Sequence, residues 1–148
     1  MAAILVDTHV LIYAHDRRTP EKRIRAVAVL AGLHASGSGR LGAQCLAEFF
    51  SVSTSGTRPL LDREEAASQV SDLAESWPVL PLTAAVILES VRGVRQHRLN
   101  YWDAQIWAAA RLNQVEVIFS EDFNSGSSLE GVRFVNPFAA EFELARWI

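Results

Sequence analysis

Four carboxylates in this chain stand in unusually apolar company. Asp7 directly follows Ile4-Leu5-Val6, and Asp122 follows Val117-Ile118-Phe119 through Ser120 and Glu121. Glu48 lies within Cys45-Leu46-Ala47-Glu48-Phe49-Phe50, and Asp103 within Tyr101-Trp102-Asp103-Ala104-Gln105-Ile106-Trp107. Each alone has a modest explanation. Asp7 caps a helix, Asp103 partners Asn100 at the third position of a helix, Glu48 faces solvent, and Asp122 begins a turn with Asn124 and Gly126. As a set they ask for more. If they converge within about 5 Å, each like-charge pair costs ~3 kcal/mol at an effective dielectric near ~20, so the cluster needs protons or a cation. Oxygen ligands with neither a cysteine set nor a paired-histidine motif select Mg²⁺ or Mn²⁺ over zinc. Such a site suits phosphodiester hydrolysis, because the metal orients and deprotonates water and stabilises charge on the phosphate and leaving oxygen.

The elements that must position these acids alternate between short apolar runs and helices. Ile4-Leu5-Val6 reads as a buried parallel strand, and Val10 to Ala14 as a short helix. Thr19-Pro20-Glu21 starts a helix with a hydroxyl cap, proline at the first position and an acid in the first turn. Ile24, Val27, Leu30, Ala31 and His34 are spaced as its core face, and Ser36-Gly37-Ser38-Gly39 ends it in a loop too short to separate domains. Leu41 to Ala43 is expected as a brief strand, followed by a helix carrying Cys45, Leu46, Phe49, Phe50 and Val52. After a break at Gly56 and Pro59, Asp62 and Glu65 have capping-box spacing for a helix that Trp77-Pro78 closes. Val79-Leu80 is a strand candidate, Thr83 opens a helix through Val86, Ile87, Val91 and Val94, and Asn100 caps one through Ile106, Trp107 and Ala110. Strands are expected over 115–119 and 132–135, and a final amphipathic helix over 138–147. This order predicts an α/β domain with a parallel sheet, whose ligands collect beyond the carboxyl ends of the strands where strand order reverses. Asp7 and Asp122 fall at such ends.

The chain has 148 residues, 49% of them hydrophobic, which fits one domain spanning 1–148 and argues against disorder. A net charge of −3 argues against broad, nonspecific coating of nucleic acid. Without the four acids above, the remaining acidic and basic side chains nearly balance. Lys22 is the only lysine, so positive charge is nearly all arginine, which suits bidentate phosphate recognition. Arg17, Arg18 and Arg98 are placed where they would border the acidic site. Trp102 and Trp107 flank Asp103, and core or dimer packing is expected for both in preference to base stacking. Cys45 is the only cysteine, so no internal disulfide can form, and its neighbours predict burial. The apolar stretch before Asp7 is too short for a signal peptide and no run suffices for a membrane span, so a cytoplasmic location is expected.

Val6-Asp7-Thr8-His9-Val10-Leu11-Ile12-Tyr13-Ala14 resembles the opening motif of PIN-domain ribonucleases, especially VapC-type toxins of bacterial toxin–antitoxin pairs. The stretch Cys45 to Phe50 resembles their second motif, and Tyr101 to Ile106 followed by Ala108-Ala109-Ala110 the third. Ser120-Glu121-Asp122 and Val135-Asn136-Pro137-Phe138 resemble the fourth and the chain end. The resemblance implies a three-layer α/β/α fold with a central parallel sheet and a Mg²⁺- or Mn²⁺-dependent endoribonuclease. It gives Asp7 and Asp103 the role of direct metal ligands. Glu48 and Asp122 would bind metal directly or through water, or position the attacking water. Thr8 and Ser120 match positions where the family often has a hydroxyl near the site, for bonding a carboxylate or water; strand-end capping explains them equally well. His9 stands at a variable position and receives no catalytic role, and His15, His34 and His97 show no ligand spacing. The implied partners are an RNA substrate, a cognate antitoxin and a second copy of the chain.

Other α/β readings fail on particular residues. A phospho-acceptor receiver domain needs adjacent acids after its first strand and a late lysine, and an Asp-x-Asp phosphatase needs an acid where His9 stands. The remaining alternatives are a non-catalytic PIN-like module that binds RNA or protein, against which the four intact acids argue, and a housekeeping PIN nuclease. A small antitoxin encoded just upstream separates toxin from housekeeping enzyme.

Overall fold

Strand β1 (Ile4–Val6) sends its side chains alternately to the two faces of a sheet. Ile4 and Val6 join one buried cluster, with Phe119, Leu41, Phe49 and Leu33, whereas Leu5 joins another, with Ile118, Phe134, Ile106 and Trp107. The two cores lie on opposite faces, as a three-layer arrangement requires. The computed structural model describes residues 2–148. Among them, β1 is joined by β2 (Gly39–Gly42), β3 (Val79–Leu80), β4 (Val117–Phe119), β5 (Ser128–Leu129) and β6 (Val132–Val135), in the order β3-β2-β1-β4-β6-β5. Every neighbouring pair is parallel except β5 with β6. Register is set beside the site, where Val6 pairs with Phe119 and Phe119 with Val135.

The first core is covered by α1 (Thr8–Tyr13), α2 (Pro20–Ser36), α3 (Ala43–Ser53) and α4 (Arg63–Ser76), and the second by α5 (Ala84–His97) and α6 (Tyr101–Leu112). Helix α4 starts with the capping box its spacing predicts, Asp62 and Glu65 each bonding the other's backbone. Thr83 and Asn100 cap α5 and α6 through their side chains. Alanines at 104, 108, 109 and 110 let α6 lie close to its neighbours. Gly93 on α5 is needed for the same reason, since a Cβ there would stand 2.8 Å from Trp107 Cζ3. No described helix is long and apolar enough to cross a membrane.

Two local expectations are corrected. Helix α2 buries Ala26, Val29 and Leu33, and leaves Ile24 and Val27 exposed. Its apolar residues run nearly all round the helix, so periodicity alone does not single out the buried stripe. Residues 138–147 form tight turns and one short 3₁₀ turn (Leu144–Arg146) instead of a helix. Their amides bond three residues back, Phe142 to Ala139 and Trp147 to Leu144, which lets Phe138, Phe142, Leu144 and Trp147 pack on the first core without a helical repeat. The β5–β6 hairpin has no strong sequence signal, because its turn is Glu130-Gly131, both at positive φ (46° and 84°), without the usual Asn-Gly signature.

Candidate active site

Strand order reverses at β1, which has β2 on one side and β4 on the other. The crevice beyond their carboxyl ends is where an α/β sheet holds a ligand. Asp7 stands there directly after β1, 2% exposed. Its peptide N–H donates to the Phe119 carbonyl at 3.0 Å. Its carboxylate accepts from the Thr8 amide at 2.6 Å and from the Ser120 hydroxyl at 2.7 Å. Capping α1 and facing the crevice are thus roles of the same side chain. Ser120 Oγ also accepts from the Asp122 amide at 3.1 Å, tying the end of β4 to the end of β1.

Helices α3 and α6 bring the other two acids. Glu48 accepts from the Thr8 hydroxyl at 3.1 Å and from the Gln44 amide at 2.6 Å. Gln44 also donates to the Trp102 carbonyl at 3.3 Å and accepts from Gln105 at 2.8 Å, while the Tyr101 hydroxyl donates to Gln105 at 2.9 Å. This buried amide chain fixes α3 against the first turn of α6, where Asp103 stands beside the positive end of the helix.

The electrostatics are those of acids short of cations. Burial raises the Asp7 carboxyl from 3.8 to about 6, against the lowering effect of the Ser120 hydrogen bond and the His9 charge. Asp103 is raised too, by burial first and then by the charge of Asp122, with Glu48 adding to it. Among the described residues no lysine or arginine forms an ion pair with Asp7, Glu48, Asp103 or Asp122. The partner of Asp122 is His9, Nε2 to Oδ2 at 2.6 Å. Burial alone would lower the pKa of His9, but the charges of Asp7 and Asp122 outweigh it and raise it. Glu121 is answered differently: Lys22 at 2.9 Å and the Tyr13 hydroxyl at 2.5 Å overcome its burial and hold its pKa down. Donor atoms of Asp7, His9 and Asp122 all lie within 4.8 Å of one another.

Residues 4–124 match the family model described as PIN domain. The chain belongs to the PIN domain family. No curated protein sequence matches it, but solved structures do. A toxin–antitoxin complex from Klebsiella pneumoniae superposes with a TM-score of 0.66 at 17% identity, covering 91% of this chain and 98% of that one. VapC20 from Mycobacterium tuberculosis, a toxin that cleaves the sarcin–ricin loop, gives 0.61 at 17% identity over 86% and 98%. A DNA-bound VapBC from Salmonella typhimurium gives 0.62 at 15% identity over 90% and 97%. At these identities the likeness is one of fold.

In this PIN domain Thr8 and Ser120 bond Glu48 and Asp7, and Asp7 and Asp122 enter one close group. Asp103 and Glu48 stand outside that group, though their charges act on each other across the crevice. His9, to which the resemblance gives no catalytic role, is inside it. Its placement follows from register: it stands two residues after Asp7, in the first turn of α1, opposite the end of β4. Arg17 and Arg18 line a groove with Arg23 and Arg58, and Arg18 pairs with Asp16. Arg98 is exposed at the end of α5. Trp107 is buried, but Trp102 is 59% exposed and so is not a core residue. Gln44, Gln105, Tyr13 and Lys22 support the acids; Tyr13 and Gln105 lie within the first and third motifs without a role assigned there, and polarity within buried helices at Gln44 and Gln105 is the signal the sequence offers. Cys45 is buried, its thiol pushed up to about 12 by desolvation, which makes it inert.

The donor set fits a divalent cation: carboxylate oxygens with one imidazole nitrogen, no thiolate, and a buried Asp7 without a lysine or arginine partner among the described residues.

Proposed function

We propose that this PIN domain, a single unit over residues 1–148, is a Mg²⁺- or Mn²⁺-dependent endoribonuclease and the toxin of a toxin–antitoxin pair. The observation that carries the reading is the contrast in charge. Among the described residues Asp7, buried at the switch point of the sheet, forms no ion pair with a lysine or arginine, while Glu121 nearby has both Lys22 and the Tyr13 hydroxyl. A bound divalent ion supplies charge compensation and the acidification of water that phosphodiester hydrolysis needs.

The chain's own residues do the positioning. Asp7 and Asp103 hold the cation, and Glu48 and Asp122 hold it directly or through water, or orient the attacking water. Ser120 keeps one Asp7 oxygen aimed into the crevice and Thr8 does so for Glu48. Water attacks phosphorus, and the bond to the leaving ribose oxygen breaks. The toxin role is supported by superposition on a toxin–antitoxin complex and on VapBC. A cognate antitoxin covering the acidic crevice, a homodimer and a cytoplasmic location belong to the same proposal.

The test is cleavage of RNA by purified protein with Mg²⁺ or Mn²⁺. Wild type is expected to cleave, EDTA to stop it, and Asp7→Asn and Asp103→Asn to lack it. Cleavage in EDTA, or equal cleavage by the variants, overturns the mechanism. If a small protein is encoded just upstream, its co-expression is expected to suppress the activity; growth arrest unaffected by it argues against the toxin role.

A further inference from the structure

We infer that His9 Nε2 is a ligand of the cation alongside Asp7 and Asp122, and that this nitrogen gives the site a preference for Mn²⁺ over Mg²⁺. The inference deepens the metal centre proposed above and rests on it.

The argument is geometric. Asp7 caps α1 and His9 lies in its first turn, so the two side chains share one end of the helix. The end of β4 closes the third side with Asp122, whose Oδ2 lies 2.6 Å from His9 Nε2. Ligands bonded at ~2.1 Å to one octahedral cation are ~3.0 Å apart in cis and ~4.2 Å apart in trans. Donor atoms of these three residues lie within 4.8 Å of one another, so shifts of a few tenths of an ångström bring them onto one ion. The His9 side chain is 45% exposed, its ring centroid 6.5 Å from the Tyr13 ring at a tilt, and among the described residues no aromatic ring stacks on it.

The other three histidines are committed elsewhere. His15 packs beside Phe49, His34 stacks on Trp77, and His97 bonds Glu130 against the edge of Trp107. Glu121, the neighbouring acid with the reach to compete, is held by Lys22 and Tyr13. Magnesium holds to oxygen ligands and gives up its waters reluctantly, whereas manganese, a first-row transition ion, accepts an imidazole nitrogen among its oxygens more readily. A site of carboxylates alone therefore discriminates less between the two ions than one that includes His9.

The experiment needs no RNA. Mn²⁺ bound to the wild-type protein is examined by electron spin-echo envelope modulation, and Mn²⁺ and Mg²⁺ affinities are measured by calorimetry. Wild type is expected to show ¹⁴N modulation from one imidazole, which changes to the ¹⁵N pattern when histidine is isotope-labelled. His9→Gln, which keeps a hydrogen bond to Asp122 but replaces nitrogen by oxygen, is expected to lose it. The same substitution should weaken Mn²⁺ by ~10-fold or more and leave Mg²⁺ within ~2-fold. Bound Mn²⁺ without ¹⁴N modulation, or modulation that survives His9→Gln, overturns the inference and leaves the carboxylate metal centre standing. Equal weakening of both ions makes His9 a positioning residue for Asp122 and overturns it too. No Mn²⁺ binding at all overturns the metal centre with it.

Discussion

Glu89 and Glu130 lie among arginines, while Asp7 and Asp103 lie among other acids. On the α5–α6 side, Glu89 bonds Arg92 and Arg111, the latter at 2.6 Å, and Glu130 takes Arg92 at 3.0 Å and His97 at 2.5 Å. The Arg92 hydrogen bonds hold both carboxyls below their ordinary range, Glu130 at about 2. At the crevice burial pushes the other way and raises Asp7 to about 6. The same residue types thus serve two ends: compensated acids tie α5, α6 and the β5–β6 turn together, and uncompensated ones leave charge for something the chain does not supply. Acids left unpaired in a buried place weaken the fold, and they persist where function uses them.

The largest expected effect concerns activity. Asp7→Asn should lower metal-dependent RNA cleavage by ~10³-fold or more, whereas Glu89→Gln should stay within ~3-fold, read from initial rates. Comparable losses in both variants would erase the contrast between the regions.

Stability should move in opposite directions. With chelator present, Asp7 has a folded pKa above its unfolded 3.8, so the folded state binds the extra proton between about pH 4 and 6 and stability falls as pH rises through that window. Asp7→Asn should therefore stabilise the protein by up to ~3 kcal/mol at pH 7 and by nothing below pH ~4, measured by urea unfolding. Glu89→Gln should instead destabilise by ~1–3 kcal/mol, because it leaves Arg92 and Arg111 with weaker partners.

Ser120→Ala sharpens the comparison within the crevice. It removes the hydroxyl that bonds Asp7 and accepts from the Asp122 amide, and should cost ~10–100-fold in metal affinity by calorimetry. The smallest effect belongs to Glu130→Gln, ~0–1 kcal/mol at pH 7, since exposed ion pairs are screened. Glu130 has a lowered folded pKa, so its contribution is present above about pH 4.5 and is lost as pH falls toward 2.

Much of the fold was legible because local signals agreed. Pro20, the Asp62–Glu65 box, Thr83 and Asn100 mark helix starts that the structure has, and the apolar runs at 4–6, 79–80 and 132–135 are strands. What failed depends on partners distant in the chain. Ile24 and Val27 are as apolar as Ala26 and Val29, and only the packing of α2 on the sheet decides which pair is buried. The apolar spacing of 138–147 is real, but tight turns satisfy it.

For the site, residue types in the sequence marked Asp7, Glu48, Asp103 and Asp122 as acids in unusually apolar company, and Thr8 and Ser120 entered only through the family resemblance. Identity and local context suffice for that, since a carboxylate next to a buried strand is conspicuous in one dimension. Only the tertiary structure decided that His9 belongs with Asp7 and Asp122, that Glu121 is answered by Lys22, and that Gln44 and Gln105 join α3 to α6. Those partnerships span up to 113 positions of the chain, as between His9 and Asp122. Hydrogen bonds and charges act through space over a few ångströms, so their assignment waits on the fold that brings the two strand ends together.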